Sequence, residues 1–375
     1  MSHSFNDETG GHGGDLAAAY ARWDPAAGEL IDFSSNINPL GPPAGLLEHL
    51  EKALPEIVAY PTPQARELRR KLALFFNLPE QRLLLGNGAN ELIHLLMLLL
   101  SPRRVFVPAP SFSEYERAAK LAGAILERFP LPPGGEPDYN NLIGQLTQGD
   151  LLVFCNPNNP TGKLFKRSDL LPLVAAAEER GAKVLIDESF IPLTGSAAES
   201  LRDLELDHLW VVISLTKIWG LPGLRLGCLV GPGGEIAEIS RWGDPWRVNM
   251  LAQKAGLYCL EQVKYITETL ELIAEERAYL ESQIKATGAF QVFEGAANFL
   301  LIKGHDPEFK VERFQADLAQ MGLLVRRADN FPGLDQRYFR IAVRKRAENE
   351  RLVKAIKGWL QNGGAETAFT PGMDH

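Results

Sequence analysis

The chain has 375 residues, of which 45% are hydrophobic, and its formal net charge is -8 at pH 7. This length predicts about two domains, and the lack of a basic tract argues against a nucleic-acid partner. No apolar run is long enough to cross a bilayer, the N-terminus lacks the apolar segment of a signal peptide, and the three cysteines are too widely spaced for a disulfide framework or a metal site. We therefore expect a cytoplasmic enzyme without a membrane partner or a bound metal.

The first forty residues, rich in glycine, asparagine and proline, are predicted to form an arm. From residue 82 onward, short apolar runs alternate with helical stretches. The strand candidates are residues 82–86, 104–110, 124–131, 150–157, 183–189, 210–217 and 224–231, and the helical stretches lie near 90–100, 112–122, 138–147 and 167–180. This alternation predicts an α/β domain with a mainly parallel, seven-stranded sheet that is covered on both faces.

The pattern changes after this domain. An apolar stripe at helical spacing begins at Ile266 and is closed by Gly288, which predicts a long amphipathic helix. Further strands are expected at 290–295, 298–304 and 338–344, with helices near 310–321 and 347–361, as in a smaller α+β domain. The predicted organisation is an arm at 1–45 that joins the small domain, a large domain at 46–255, a small domain at 256–365 and a frayed tail at 366–375.

Candidate site residues follow the strands, because open parallel sheets bind ligands beyond the carboxyl ends of their strands. In chain order they are the turn 87–91, Phe112, Asn159, Asp187 and Lys217. Taken singly, each has a common structural explanation, such as a helix cap, a core ring or a surface amine. Together they supply what pyridoxal 5'-phosphate requires: an anion cradle, an aromatic ring, a donor to the phenolic oxygen, a carboxylate for the ring nitrogen and an amine for the aldehyde. A nicotinamide dehydrogenase is disfavoured, because Glu91 stands where its third glycine belongs.

The motifs that carry a family resemblance are "NPNNPTG" at 156–162, "DES" at 187–189, "SLTK" at 214–217 with Arg225 eight residues after the lysine, and "FRIAVR" at 339–344. With them the chain resembles the aspartate aminotransferase superfamily, the fold-type I pyridoxal phosphate enzymes. Within it the chain resembles histidinol-phosphate aminotransferases and, more closely, the threonine-phosphate decarboxylases of cobalamin biosynthesis. The closer resemblance depends on "HGGD" at 12–15 and "IDFSSNINPLGPP" at 31–43. The resemblance to the superfamily implies the two-domain fold-type I architecture.

The resemblance implies a role for each catalytic candidate. Lys217 would bind the cofactor aldehyde and later move protons at the substrate α-carbon, Asp187 would pair with the ring nitrogen, Asn159 would donate to the phenolic oxygen, and Phe112 would stack on the ring. The cofactor phosphate would be bound by Gly88, Ala89, Asn90, Ser214, Thr216 and Arg225. Tyr60 matches the position that reaches the phosphate of a neighbouring subunit, which implies a homodimer with shared active sites.

The substrate is expected to be a small phosphorylated amino acid. Arg340 matches the arginine that binds the substrate α-carboxylate in this superfamily, a bidentate role that lysine fills poorly. For the substrate phosphate, our hypothesis uses a separate anion pocket made of His12, Gly13, Ser35, Asn36 and either Arg326 or Arg327, with Tyr60 of the partner as a further candidate.

The motifs do not distinguish between two reactions, because both reactions use the same lysine, aspartate and arginine. The leading prediction is decarboxylation of L-threonine O-3-phosphate to (R)-1-amino-2-propanol phosphate and carbon dioxide. Phe190 supports it modestly, since aminotransferases of the superfamily usually have a tyrosine at that place. The alternative is a histidinol-phosphate-type aminotransferase that uses 2-oxoglutarate. A transcription regulator built on the same fold is disfavoured, because the arm has no helix-turn-helix pattern.

Overall fold

The computed structural model describes residues 13–23 and 30–363. His12 of the predicted phosphate pocket and the predicted tail lie outside these residues. Up to residue 230 the elements are α1 (Leu16–Arg22), β1 (Ile31–Asp32), α2 (Leu46–Ala53), α3 (Arg66–Phe76), β2 (Leu83–Gly86), α4 (Gly88–Leu100), β3 (Arg104–Ala109), α5 (Glu114–Leu121), β4 (Ile125–Pro130), α6 (Tyr139–Gln145), β5 (Leu151–Cys155), α7 (Arg167–Glu179), β6 (Lys183–Asp187), β7 (Leu209–Ser214), α8 (Leu215–Ile218) and β8 (Gly227–Val230).

The elements after residue 230 are α9 (Gly233–Trp242), α10 (Met250–Leu260), α11 (Val263–Lys285), β9 (Phe290–Val292), β10 (Phe299–Gly304), α12 (Val311–Gln320), β11 (Leu323–Leu324), β12 (Arg326–Arg327), β13 (Tyr338–Ala342) and α13 (Arg346–Gln361). The amphipathic helix predicted from Ile266 thus begins at Val263 and ends before Gly288, whose φ of 69° lies in the left-handed region.

The central sheet has seven strands in the order β2-β8-β7-β6-β5-β3-β4. The strands β3 to β7 pair in parallel, and β8 is antiparallel to both of its neighbours, β2 and β7. The predicted mainly parallel, seven-stranded α/β sheet is therefore confirmed. Its parallel register sets Cys155 beside Asp187 and Asp187 beside Val212, so the carboxyl ends of β5, β6 and β7 meet at one edge.

Both faces of this sheet are buried, and the buried strands show why. In β5, Leu152 and Phe154 pack into one apolar cluster, whereas Val153 and Cys155 pack into another on the opposite face. Successive side chains of a strand point to opposite faces, so a strand covered on both sides needs a continuous apolar run. This burial holds the strand ends, and hence the residues that follow them, in fixed positions.

A second, antiparallel sheet has the order β12-β13-β10-β9, and its core contains Phe290, Phe314, Phe339 and Trp359. The N-terminal arm joins this part of the molecule, because β1 pairs in parallel with β11 and Phe33 is fully buried in the same core. Further along the arm, the Asn38 amide donates to Ile218 O, Tyr265 Oη and Thr269 Oγ1. The arm therefore connects the two parts of the molecule beside the end of β7.

Helix α11 belongs to both parts. Its first half contributes Tyr265 and Ile273 to the core of the large sheet, whereas its second half contributes Leu280 and Ile284 to the core of the small one. The division at residues 255 and 256 stays a prediction, because it concerns which parts move together. Within 13–23 and 30–363, no helix is both long and apolar enough to span a bilayer, and no group of three or more His, Cys, Asp or Glu could hold a metal ion.

Candidate active site

Two adjoining cavities lie at the carboxyl ends of the large sheet. The strand-end cavity, of about 170 Å³, is lined among others by Ala89, Asn90, Phe112, Tyr115, Cys155, Asn159, Asp187, Ser214, Thr216, Lys217 and Arg225. The arm cavity, of about 220 Å³, is lined among others by Gly13, Ser35, Asn36, Phe112, Asn159, Phe190, Lys217, Arg326, Asn330 and Arg340. The two share Phe112, Asn159, Phe190 and Lys217, so together they form one cleft.

Lys217 stands where the two cavities meet. It lies on α8, the single helical turn that follows β7, and its Nζ is 5.1 Å from the centre of the Phe190 ring. Burial, and next the positive charge of Arg340, lower the pKa of Lys217 to about 8, although Asp187 acts in the opposite direction. A lysine with this pKa has a substantial neutral fraction near neutral pH, as a nucleophilic amine requires.

Asp187 ends β6 and is buried with both carboxylate oxygens bonded. Oδ1 accepts from the Ser189 backbone N–H at 2.9 Å, and Oδ2 accepts from the Tyr115 hydroxyl at 2.6 Å. Donors at both oxygens stabilise an ionised carboxylate, which still has free lone pairs for a further donor from the cavity. The site thus offers a fixed acceptor to a protonated ring nitrogen.

Asn159 faces both cavities, and Arg340 determines its orientation. The Asn159 Oδ1 accepts from Arg340 Nη1, and because a guanidinium only donates, the oxygen must be the atom on that side. The amide NH₂ is therefore the group that remains for a ligand. The turn that carries Asn159 is held by Asn158, whose Nδ2 donates to Pro110 O at 3.1 Å and to Thr161 Oγ1 at 3.0 Å.

The start of α4 forms an anion cradle. Gly88 opens the helix with a φ of 82°, and a Cβ there would lie 2.4 Å from Arg225 Nη2. The glycine thus permits both the turn and the approach of the guanidinium to the first helical amides, which lack intrahelical acceptors. Ser214 Oγ and Thr216 Oγ1, 2.9 Å apart, line the same cavity. Free amides, hydroxyls and a guanidinium are the groups that bind a phosphate.

Two buried arginines line the arm cavity side by side. Arg326 and Arg340 are direct partners in the register of β12 and β13 and are 9% and 5% exposed. Arg340 Nη2 donates to Ser34 O at 2.7 Å and its Nε is buried without a partner, whereas Arg326 Nη2 donates to Asn330 Oδ1 at 3.0 Å. Burial, with Arg326 as the next cause, lowers the pKa of Arg340 to about 9, and burial lowers that of Arg326 to about 10. Like charges directly opposite one another destabilise a sheet, so an anion bound between these two guanidinium groups would reduce their repulsion.

The arm brings small and polar groups to these arginines. Gly13 lies so close to Ser34 that a Cβ at 13 would be 2.1 Å from Ser34 O, and Ser35 lines the cavity next to it. The carboxamide oxygen of Asn36 is buried without a hydrogen-bond partner. Polar atoms left unpaired inside a cleft are expected to meet a ligand or water.

Two predicted residues lie outside this chain's cleft. Arg327, the predicted alternative to Arg326, lies outside the cleft: its guanidinium bonds to both oxygens of Asp329 at 2.6 and 3.1 Å and to Glu312 at 2.9 Å. Tyr60 is 83% exposed and packs on the Trp246 ring, with ring centres 4.7 Å apart. It lines neither cavity of its own chain.

Sequence reasoning missed Tyr115 and Asn330, which line the cleft as well. Tyr115 lies three residues after Phe112 in the stretch 112–122 that the sequence predicts to be helical, where this spacing would place both on one face, and this signal could have found it. Asn330 lies in a loop after β12, and no spacing rule relates it to Arg326.

The cleft is cationic although the chain is acidic. Among the described residues that line the two cavities, Lys217, Arg225, Arg326 and Arg340 are basic, and Asp187 is the single carboxylate. This excess of positive charge attracts anionic groups to the cleft.

Comparisons with known proteins agree with this geometry. The profile of the family described as aminotransferase class I and II matches residues 28–356. The threonine-phosphate decarboxylase of Salmonella typhimurium is 34% identical over 355 residues, which cover 93% of this chain and 96% of that protein. The histidinol-phosphate aminotransferase of Symbiobacterium thermophilum is 36% identical over 343 residues, covering 89% of this chain and 92% of that protein. The crystal structure of the histidinol-phosphate aminotransferase from Clostridium acetobutylicum matches with a TM-score of 0.82 at 30% identity, covering 89% and 100% of the two chains.

Proposed function

The chain belongs to the aminotransferase class I and II family and depends on pyridoxal 5'-phosphate, and from this premise we propose that it decarboxylates L-threonine O-3-phosphate. The products are (R)-1-amino-2-propanol phosphate and carbon dioxide, and the reaction serves cobalamin biosynthesis in the cytoplasm. The observation that carries the proposal is the pair of buried arginines, Arg326 and Arg340, side by side in one small cavity with Lys217.

The strand-end cavity fits the cofactor in its charges and its shape. The phosphate would lie at the amides of Gly88, Ala89 and Asn90 with Arg225, where a Cβ at residue 88 would collide with the guanidinium. The ring would lie against Phe112, with its nitrogen at Asp187 and its phenolic oxygen at the Asn159 amide. Ser214 and Thr216 would add their hydroxyls to the phosphate site, and Lys217 would reach the aldehyde.

Pyridoxal 5'-phosphate, when bound, supplies an aldehyde that captures the substrate amine and a ring that accepts an electron pair from the α-carbon. Asp187 would hold the proton on the ring nitrogen, which strengthens this electron acceptor. Lys217 would bind the aldehyde at rest. After the carboxylate has left the α-carbon as carbon dioxide, the Lys217 ammonium would donate a proton to that carbon, and the resulting neutral Lys217 amine would take the aldehyde back and so release the amine product.

The two arginines select the substrate. With Arg225 assigned to the cofactor phosphate, the arm cavity retains two guanidinium groups, which match a substrate that has both a carboxylate and a phosphate. A volume of about 220 Å³ lies below the range of about 300–1,000 Å³ that is typical for drug-sized ligands, so a small substrate fits. Binding both anions would fix the rotation of the α-carbon and so determine which of its bonds breaks.

The second candidate is a histidinol-phosphate-type aminotransferase with 2-oxoglutarate, since an aminotransferase of that kind is as similar to this chain as the decarboxylase is. Histidinol phosphate has a phosphate but no carboxylate. It would therefore need only one of the two arginines, and the other would be used only when the amino acceptor is bound. The decarboxylase uses both arginines for one substrate.

The experiment is to incubate the holoenzyme with L-threonine O-3-phosphate in the absence of any keto acid and to measure carbon dioxide. We expect sustained release over many turnovers. If carbon dioxide is absent, and the enzyme forms glutamate from histidinol phosphate and 2-oxoglutarate, the protein is an aminotransferase instead.

A homodimer with shared active sites is part of the proposal. Tyr60, with Ile57 and Val58, forms an exposed apolar stretch that a second copy would cover, with the Tyr60 hydroxyl at the partner's cofactor phosphate. Mixing inactive Tyr60→Ala and Lys217→Ala variants should restore activity, because mixed dimers retain one intact site. Mixed dimers that stay inactive while each parent variant still binds the cofactor phosphate would contradict the shared site.

A further inference from the structure

Tyr115 is a buried phenol in direct contact with the cofactor site, and the mechanism above gives it no role. It lies in the first turn of α5, is 0% exposed, and donates from its hydroxyl to Asp187 Oδ2 at 2.6 Å. Its ring meets Phe112 edge to face, with centres 5.6 Å apart and planes at 82°. The same side chain thus supports two groups that a cofactor ring would touch.

Helix α5 fixes this phenol from its first turn. Glu114, the neighbour of Tyr115, is buried and accepts from Asn90 Nδ2 at 2.9 Å, so the helix start is tied to the anion cradle as well. Burial, and next the charge of Asp187, raise the pKa of Tyr115 well above its ordinary value. The phenol therefore stays protonated and donates to Asp187 over the whole working range of pH.

We propose that Tyr115 is a positioning residue for the cofactor: its hydroxyl stabilises the ionised Asp187 carboxylate and aims it at the ring nitrogen of pyridoxal 5'-phosphate. Asp187 Oδ1 is already oriented by the Ser189 backbone, so the phenol supplies the second of two fixed points. A carboxylate held at both oxygens loses little freedom when it binds the ring, and this lowers the cost of binding. The inference rests on the role proposed for Asp187 and holds for either reaction.

The test compares two cofactors in one variant. Tyr115→Phe removes the hydroxyl and keeps the ring, and binding to the apoprotein is measured for pyridoxal 5'-phosphate and for its 1-deaza analogue, in which carbon replaces the ring nitrogen. We expect binding of pyridoxal 5'-phosphate to weaken by about tenfold, as for a lost hydrogen bond to a charged group. Binding of the analogue should change less than about twofold, since it has no nitrogen for Asp187. Equal losses for both cofactors, or no loss for either, would overturn the proposal, because the hydroxyl would then serve packing alone.

A control variant and a rescue variant make the outcome specific. Tyr139→Phe removes a phenol that donates to Glu136 at 3.3 Å outside both cavities, and it should leave the preference for pyridoxal 5'-phosphate over the analogue unchanged. Tyr115→His, which can restore a donor, should recover part of the preference, and failure to do so counts against the proposal.

Asp187→Asn distinguishes this inference from the role proposed for Asp187. If Asp187→Asn removes the preference and Tyr115→Phe does not, Tyr115 has no positioning role. If Asp187→Asn leaves the preference intact, the role of Asp187 itself is wrong. We expect each substitution to reduce the preference and the double variant to lose less than the product of the two losses.

Discussion

The strand-end cavity and the arm cavity are built in different ways. Most groups of the first lie at or just after the end of a strand of one buried sheet, as Asp187 ends β6 and Lys217 follows β7. The second is assembled from the arm around Asn36 and from the strands of Arg326 and Arg340, about three hundred residues later. The cavity that fits the cofactor is therefore part of the rigid sheet, whereas the cavity that fits the substrate depends on how the arm and the small sheet meet the large one. This difference lets one cofactor site serve enzymes with different substrates.

Lys217 is shared by the two cavities, so its loss should have the largest effect. Lys217→Arg keeps a positive charge but removes the neutral amine, and we expect kcat to fall by at least about 10³-fold, measured as product formed in single-turnover and steady-state assays. A variant that retained a tenth of the wild-type rate would contradict both proposed functions of Lys217, which are binding the aldehyde and donating a proton to the α-carbon.

Arg326→Gln should disable the arm cavity alone. Loss of charge-assisted hydrogen bonds to the substrate phosphate predicts a rise in KM of about 100-fold with little change in cofactor affinity. Arg327→Gln is the matched control, because the adjacent guanidinium bonds to Asp329 and Glu312 outside the cleft. Its KM should stay within about twofold of wild type. Equal effects of the two substitutions would exclude Arg326 as the phosphate ligand.

Gly88→Ala should disable the strand-end cavity alone. The new Cβ would meet Arg225 Nη2 at 2.4 Å at a φ of 82°, so the cradle must shift and strain of about 1–3 kcal/mol is expected. We expect affinity for pyridoxal 5'-phosphate to fall by about tenfold or more, with KM at saturating cofactor less affected. Titration of the apoprotein checks this, and Gly223→Ala, where a Cβ would meet no atom within 4 Å, serves as the control.

Charge coupling between the cavities should appear as a pH effect. The pKa of Lys217 is lowered to about 8 by burial and by Arg340, and the neutral amine is the form that captures the aldehyde. The rate of cofactor capture by the apoprotein should therefore rise with pH through about 8 and then level off. Arg340→Gln removes a like charge, so the midpoint should move upward by as much as about one unit. Borohydride trapping at a series of pH values measures it, and a downward shift would contradict the coupling.

Glu188→Gln should have the smallest effect on activity, since Glu188 is buried behind the cleft, where it accepts from the Ser200 hydroxyl and from Leu201 N at 2.6 Å. Burial raises the pKa of Glu188 from 4.5 to about 7, so the folded state binds its proton more tightly than the unfolded state does. Its contribution to stability is present below about pH 4.5 and is lost as pH rises through 7. The free energy of unfolding of wild type should fall by up to about 3 kcal/mol across this window relative to the variant. Parallel profiles in denaturant titrations would contradict the assignment.

The strand-end cavity could be predicted because its residues obey a positional rule. Alternating apolar runs located β5, β6 and β7, and Asn159, Asp187 and Lys217 lie at the ends of these strands or within four residues after them. No tertiary contact was needed for that step. The seven strands were found for the same reason, since a sheet buried on both faces requires continuous apolar runs.

The arm cavity could not be predicted as fully, because register decides it. Arg326 and Arg327 are neighbours on a two-residue strand, and adjacent side chains of a strand point to opposite faces. Only the pairing of Arg326 with Arg340 across β12 and β13 assigns Arg326 to the cleft and Arg327 to the salt bridges outside it. The sequence contains no signal for that register.

The most direct test of the account follows the carboxyl carbon of the substrate. The holoenzyme is given L-threonine O-3-phosphate labelled with ¹³C in its carboxyl group, together with an equal amount of 2-oxoglutarate, so that both reactions compete. We expect the label to leave as ¹³C-labelled carbon dioxide while 2-oxoglutarate is not consumed. Label retained in a 2-oxo acid, with glutamate formed in equal amount, would contradict it.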